Sequence, residues 1–424
     1  MADRSATRRS PEAAAAPHLR LVRPDDAVRT VPAVVAAVRR DLALLLIPTL
    51  LLTLIGLVMV LSAGSISAVE GYGTSFWYFN RQSLYAVAGL IGLVVAARVP
   101  HVIWRRLAIP ALIVLVPLML LTLHPSVGSS LYGAARWIDL GPVTLQPAEI
   151  AKPLVLFAAA AILTRPWKDL GRPRELLLPL APIVSVVAGI ILLQRDLGTT
   201  LIISGSVFVI AFAAGARVRH LFVGGLAGIM ITAYFVFGTA YRRTRFMESW
   251  LRWELDPSGA GWQLRQGLIA LGSGGWFGVG LGNSRQKWEY LPNAHSDFVF
   301  AILGEELGLV GALVVLFLFA TLLYAGIRIA VRAPDAFGRL LAAGVTGWIG
   351  LQTILNLGAV TGLLPITGVP LPFLSFGGTA LVVTLAGVGV VASVALSGVR
   401  AERRAAERRR TRRRVTADPG RPNQ

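Results

Sequence analysis

The sequence of 424 residues has no cysteine, which excludes disulfides, a thiol nucleophile and any Cys-based zinc site. Its five histidines stand singly, and none belongs to an H-E-x-x-H pair. Charge is also sparse: Asp, Glu, Lys and Arg make up 15% of the chain, against about 25% in soluble domains. Acidic residues are the scarcest, 22 against 41 Lys and Arg, which leaves a net charge of +19. That excess invites a nucleic-acid reading, but the apolar content argues otherwise. Hydrophobic residues make up 55% of the chain, and runs such as Leu42–Ala63 reach the roughly 20 apolar residues that cross a bilayer as a helix. A soluble enzyme, a secreted disulfide scaffold and a thiolate metal protein are excluded, and no nucleic-acid partner is expected. The chain reads as an all-α, polytopic integral membrane protein.

Ten spanning helices are expected, over residues 42–63, 82–99, 107–124, 147–164, 175–194, 198–215, 219–238, 297–329, 337–360 and 376–398. Residues 1–41 form a mostly disordered tail, poor in large apolar groups. Residues 399–424 form an Arg-rich tail with ten Arg against three acids. An even number of spans puts both tails on one side. The connections on that side carry Arg98, Arg105, Arg106, Arg165, Lys168, Arg217, Arg219, Arg328, Arg332 and Arg339, whereas residues 64–77 and 361–375 carry no cation. The positive-inside rule therefore places both termini in the cytoplasm. Residues 239–296, between the seventh and eighth helices, become a large outer loop. Its cationic and aromatic residues, Tyr241 to Phe246 with Trp250 and Trp253, suit the headgroup level of the bilayer.

Polar groups at membrane depth are costly and need a reason. Glu305 and Glu306 sit about two turns into the eighth helix. Glu149 and Lys152 have the spacing of an i,i+3 ion pair, and Pro147 with Glu149 also suits an ordinary helix start. Asp196 lies at the outer mouth between the fifth and sixth helices. Ser296 or Asp297 is placed to cap the eighth helix; equally, Asp297 is an outer carboxylate beside Arg285 and Lys287. The glycines of residues 272–282 lack a preceding strand and a G-K-[ST] ending, so they read as a loop packing backbone on backbone rather than a phosphate loop. The Arg tail suits anionic membrane lipid.

Several blocks together carry a resemblance: Arg136-Trp137-Ile138, Gln146 to Lys152, Gln194 to Thr199, Gly280 to Lys287, Tyr290-Leu291-Pro292, Ala294 to Phe298, Gly304-Glu305-Glu306-Leu307-Gly308, Asn356-Leu357-Gly358 and Leu363 to Gly378. Over residues 42–398 the sequence resembles the SEDS family (shape, elongation, division, sporulation), and its division branch more than its elongation branch. The resemblance implies a peptidoglycan glycosyltransferase that polymerises lipid II at the outer face of the cytoplasmic membrane, concentrated at the division septum. It implies that Asp297 is the catalytic residue, acting as general base in an inverting displacement of undecaprenyl pyrophosphate. Substrate-binding positions are then Arg136, Trp137, Gln146, Glu149, Lys152, Asp196, Ser284, Lys287, His295, Glu306 and Ser375. Arg136, Lys152, Arg285 and Lys287 are candidates for the departing pyrophosphate.

No cofactor is specified, although a divalent cation (Mg or Mn) is compatible with the chemistry. Implied partners are lipid II, the nascent glycan strand, a class B penicillin-binding protein transpeptidase and other division proteins. Two other classes remain open: a lipid II flippase, and a non-catalytic scaffold of the division machinery.

Overall fold

The computed structural model describes residues 31–124, 128–131, 134–139, 141, 144–165, 173–238, 243, 246–251, 259 and 261–417. Helices follow in the expected order: α1 (Val31–Tyr72), α2 (Trp77–Arg98), α3 (His101–Leu121), α4 (Pro147–Leu163), α5 (Pro173–Leu193), α6 (Leu197–Ala213) and α7 (Val218–Phe237). After a π-helical turn at Met247–Leu251 come α8 (Trp262–Ser273), α9 (Val299–Val331), α10 (Ala336–Val360) and α11 (Gly378–Ala417). Among the described residues α1, α2, α3, α9, α10 and α11 are long and apolar enough to cross a membrane, while α5, α6 and α7 contain shorter apolar stretches. Large apolar side chains such as Val114, Phe222, Phe317 and Val331 face outward, as expected for a helix bundle solvated by lipid.

The core is α4 and α10. Along α4 nearly every side chain from Pro147 to Leu163 is buried, because α3, α5, α6, α10 and α11 all pack around it. Helix starts follow local chemistry. Asp196 accepts from the Thr199 amide at the start of α6, Asp335 from the Gly338 amide at the start of α10, and Pro147 opens α4 where its missing N–H costs nothing.

Three features depart from the sequence expectation. First, α1 begins at Val31, so residues 31–41 of the expected disordered tail are helical; residues 1–30 lie outside the described residues. Asp41, 2% exposed, explains the extension. It is held by Arg328 at 3.0 Å and Arg332 at 2.7 Å from the end of α9. Second, α11 continues through the Arg tail to Ala417. Third, the all-α expectation misses a small antiparallel sheet between α3 and α4, ordered β1 (Gly128–Leu131), β2 (Ala134–Asp139), β3 (Thr144–Leu145). Ile138 pairs with both Gly128 and Leu145. Strands of four, six and two residues are too short for a period-2 pattern to stand out.

Candidate active site

Asp297 sits in a tight turn one residue before Phe298, the N-cap of α9. Neither Ser296 nor Asp297 therefore occupies the N-cap position itself. The Asp297 carbonyl accepts from Asn356 Nδ2 at 2.8 Å. The same amide donates to Val369 O at 2.8 Å. Between these anchors is Gly368 with φ of 69°, where a Cβ would stand 3.5 Å from Asp297 Oδ2. The carboxylate thus lies against the Thr367–Pro370 turn.

His295 packs its ring 4.2 Å from Tyr78 and 5.8 Å from Phe376, and its carbonyl accepts from the Phe376 amide at 2.9 Å. Burial among these rings lowers its pKa from 6.5 to about 4, so the imidazole is neutral near pH 7. Ser375, next in the chain, closes its own turn: Oγ accepts from the Leu371 amide at 2.8 Å. Its carbonyl accepts from Gln82 Nε2 at 3.0 Å.

Lys152 and Glu149 form the expected ion pair at 2.6 Å, with 1% and 2% of their side chains exposed. Lys152 Nζ also donates to Gln352 Oε1 at 2.9 Å. That oxygen accepts from Trp348 Nε1 as well, and Gln352 Nε2 donates to Pro370 O, both at 2.9 Å. The Thr367–Pro370 turn is therefore shared between the Asp297 and Lys152 clusters.

Asp196, besides capping α6, receives Thr199 Oγ1 at 2.9 Å and Arg136 at 3.5 Å. Arg136 on β2 also donates to Gln194 O and Arg195 O. Trp137, its neighbour on β2, pairs with Ser129 and is partly buried. Gln146 takes the N-cap position of α4, its amide bonded to Thr379 Oγ1 at 3.1 Å.

The fourth cluster lies further along α9. Glu305 accepts from Ser284 Oγ at 2.5 Å, the Arg285 amide at 3.0 Å and the Gln286 amide at 3.4 Å. Glu306 accepts from Ser62 Oγ at 2.6 Å and lies 3.6 Å from Lys287 Nζ. That Nζ in turn donates to Gly282 O at 2.5 Å. Just beyond, α9 is broken at Gly308 (φ 68°, ψ −168°). The backbone groups freed there are satisfied by the glycine loop. The Val279 and Gly280 amides donate to Glu305 O and Glu306 O, and the Leu309 and Val310 amides donate to Gly275 O and Trp276 O. Irregular backbone at this depth is tolerated because protein covers it. The backbone-on-backbone reading of this loop matches its geometry: a Cβ on Gly278 would stand 2.1 Å from Glu306 O.

Residues 42–398 match a protein family described as Cell cycle protein, which takes in FtsW, RodA and SpoVE. The chain belongs to this SEDS family. A protein of Geobacter sp. (strain M18) called probable peptidoglycan glycosyltransferase FtsW is 39% identical over 354 residues, 83% of this chain and 95% of that one. Stage V sporulation protein E of Bacillus subtilis (strain 168) is 41% identical over 351 residues, 83% and 96% of the two chains. Among solved structures, a chain of a peptidoglycan synthase complex that coordinates polymerization and crosslinking is 30% identical with a TM-score of 0.68. It covers 84% of this chain and 97% of its own.

In this SEDS chain the segment between α10 and α11 gathers the sites. Asp297, His295, Lys152 through Gln352, and Ser375 all bond to or lie against residues 367–377. Asp196 is near the same turn, since Gly198 packs on Thr367 and Val369. The cluster of Ser284, Lys287 and Glu306 stands apart, roughly 10 Å further along α9 at 1.5 Å per residue. Sequence reasoning did not assign Asn356, Gln352 or Ser62 to the site. Asn356 stood within a quoted block, whereas Gln352 and Ser62 carry no local signal because their partners are 200 or more residues away. Trp250 Nε1, part of the expected interfacial stretch, bonds Gly362 O at 2.9 Å. Of that stretch Tyr241, Arg242, Thr244, Arg245 and Trp253 lie outside the described residues. Among the described residues no three His, Asp or Glu side chains are arranged to hold a metal ion.

Proposed function

We propose that this multi-pass membrane protein is a peptidoglycan glycosyltransferase that polymerises lipid II on the outer face of the cytoplasmic membrane, in septal wall synthesis, with a class B transpeptidase as partner. The observation that carries the catalytic part is the held carboxylate of Asp297, whose peptide is tied to α10 and whose Oδ2 lies against Gly368. In the reaction a hydroxyl of the acceptor GlcNAc attacks the anomeric carbon of the donor MurNAc. Asp297 takes the hydroxyl proton. The bond from that carbon to undecaprenyl pyrophosphate breaks, and its electron pair leaves on the pyrophosphate. One displacement turns an α-linked donor into a β-linked product.

A base must stand within about 3 Å of the attacking hydroxyl, and positive charge must meet the leaving group. Lys152 and Lys287 are already engaged by Glu149 and Glu306. Arg136 is likewise paired, with Asp196 at 3.5 Å, so Arg285, with its exposed side chain, is the cation best placed to meet the pyrophosphate. A flipping path would leave its polar groups facing water, whereas Glu149, Lys152, Glu305 and Glu306 are buried and partnered; this favours the transferase reading.

The test is lipid II polymerisation by the purified chain with its transpeptidase. Asp297→Ala and Asp297→Asn are expected to lose the roughly 10²- to 10⁴-fold that a general base supplies. Normal strand growth by folded Asp297→Ala would overturn the assignment. Lipid II translocation in vesicles without polymerisation would point to transport instead.

A further inference from the structure

Asn356, on α10, is 2% exposed and lies 59 residues from Asp297 in sequence. Its amide nitrogen donates to two backbone carbonyls, Asp297 O and Val369 O, each at 2.8 Å. Those two acceptors fix the orientation of the amide, because a flip would press its oxygen against two carbonyl oxygens. The buried Oδ1 is then left with no hydrogen-bond partner. An unpaired buried acceptor costs about 1–3 kcal/mol, so stability alone does not favour this arrangement.

Both carbonyls belong to the two segments that meet at the Asp297 carboxylate. One belongs to Asp297 itself. The other follows Gly368, the glycine that lies against Oδ2. The turn between them is anchored further: Gln352, four residues before Asn356 and on the same face of α10, holds Pro370 O at 2.9 Å. Gly198 packs against Thr367, where a Cβ would stand 2.9 Å from Thr367 O.

We propose that Asn356 is a positioning residue: its amide pins the Asp297 peptide to the Gly368 turn and so fixes where the carboxylate stands relative to the attacking hydroxyl. The proposal rests on the reading of Asp297 as the base. Asn356 touches no reacting atom, and its effect is geometric. A misplacement of about 1 Å in a reacting group costs on the order of 100-fold in rate.

The test uses two variants of the full chain with its transpeptidase and fluorescent lipid II, scored per monodisperse, folded molecule. Asn356→Asp keeps the shape and puts oxygen where the two donors were. Asn356→Ala removes the clamp without adding repulsion, and decides alone if the Asp variant does not fold. Expected results are a kcat at least tenfold lower for Asn356→Asp and at least threefold lower for Asn356→Ala, each with KM for lipid II within twofold of the parent. A parental kcat in folded Asn356→Ala, or a loss confined to KM, would overturn the proposal. Asp297→Asn is measured beside them. If it polymerises normally, the reading of the base fails and the proposal with it. If it is inactive while Asn356→Ala keeps a parental kcat, only the positioning role fails.

Discussion

Glu149 and Lys152 are two charges removed almost wholly from solvent, so each depends on the other. Breaking a buried pair from one side strands an uncompensated charge, at roughly 3–5 kcal/mol. Lys152→Met is therefore expected to lower thermal stability in detergent sharply, and adding Glu149→Gln should recover part of the loss; additive effects would contradict the pairing. The i,i+3 spacing made this pair legible in the sequence. Its third member, Gln352, was not, because nothing local marks a residue 200 positions away. His295 allows a second prediction. With a folded pKa of about 4 and an ordinary value of 6.5, only the unfolded chain takes up this proton between those limits. Stability from a neutral His295 is then fully present above pH 6.5, falls as the pH drops toward 4, and levels off below that. Thermal unfolding at pH 7 and pH 4.5 measures the slope. It should be shallower in His295→Gln, and an unchanged slope would remove His295 as its source.

At the scale of elements, α1 to α7 and α9 to α11 were readable because each contains a largely continuous apolar run. The break in α9 was not, since hydropathy passes through Gly308 without interruption. That break exists because the glycine loop of residues 274–282 arrives from outside the helix and takes over its freed backbone bonds. The sequence carried the glycines but not what they would meet. Gly278 combines a φ of 78° with a backbone oxygen 2.1 Å from any added Cβ. The left-handed conformation alone costs a non-glycine residue roughly 1–2 kcal/mol, and the clash adds to it. Gly278→Ala should lower the unfolding temperature and weaken Glu305 and Glu306 as anchors of the loop. Gly272→Ala, with open space around its Cβ position, should not. Equal behaviour of the two variants would show that the loop does not brace the break.

For the whole molecule, the charge pattern and the fold make one joint statement about sidedness. Arg328 and Arg332 at the end of α9 converge on Asp41 near the start of α1, so this end of the bundle gathers cations that the positive-inside rule assigns to the cytoplasm. The turn between α1 and α2 carries no Lys or Arg from Gly64 to Trp77. It belongs to the opposite end, where Tyr78 packs on His295 two residues before Asp297. Because the chain has no cysteine, single cysteines report on this without any background substitution. Thr74→Cys and Ala401→Cys both replace exposed residues. With ten spans and cytoplasmic termini, a membrane-impermeant maleimide should label Thr74→Cys in intact cells, and Ala401→Cys only after the membrane is opened. Labelling of both in intact cells would mean an even number of spans between them, and the reverse pattern would turn the molecule over. The second outcome would also carry Asp297 to the cytoplasmic face, away from a growing wall. The sidedness experiment therefore bears on the chemistry as directly as on the fold.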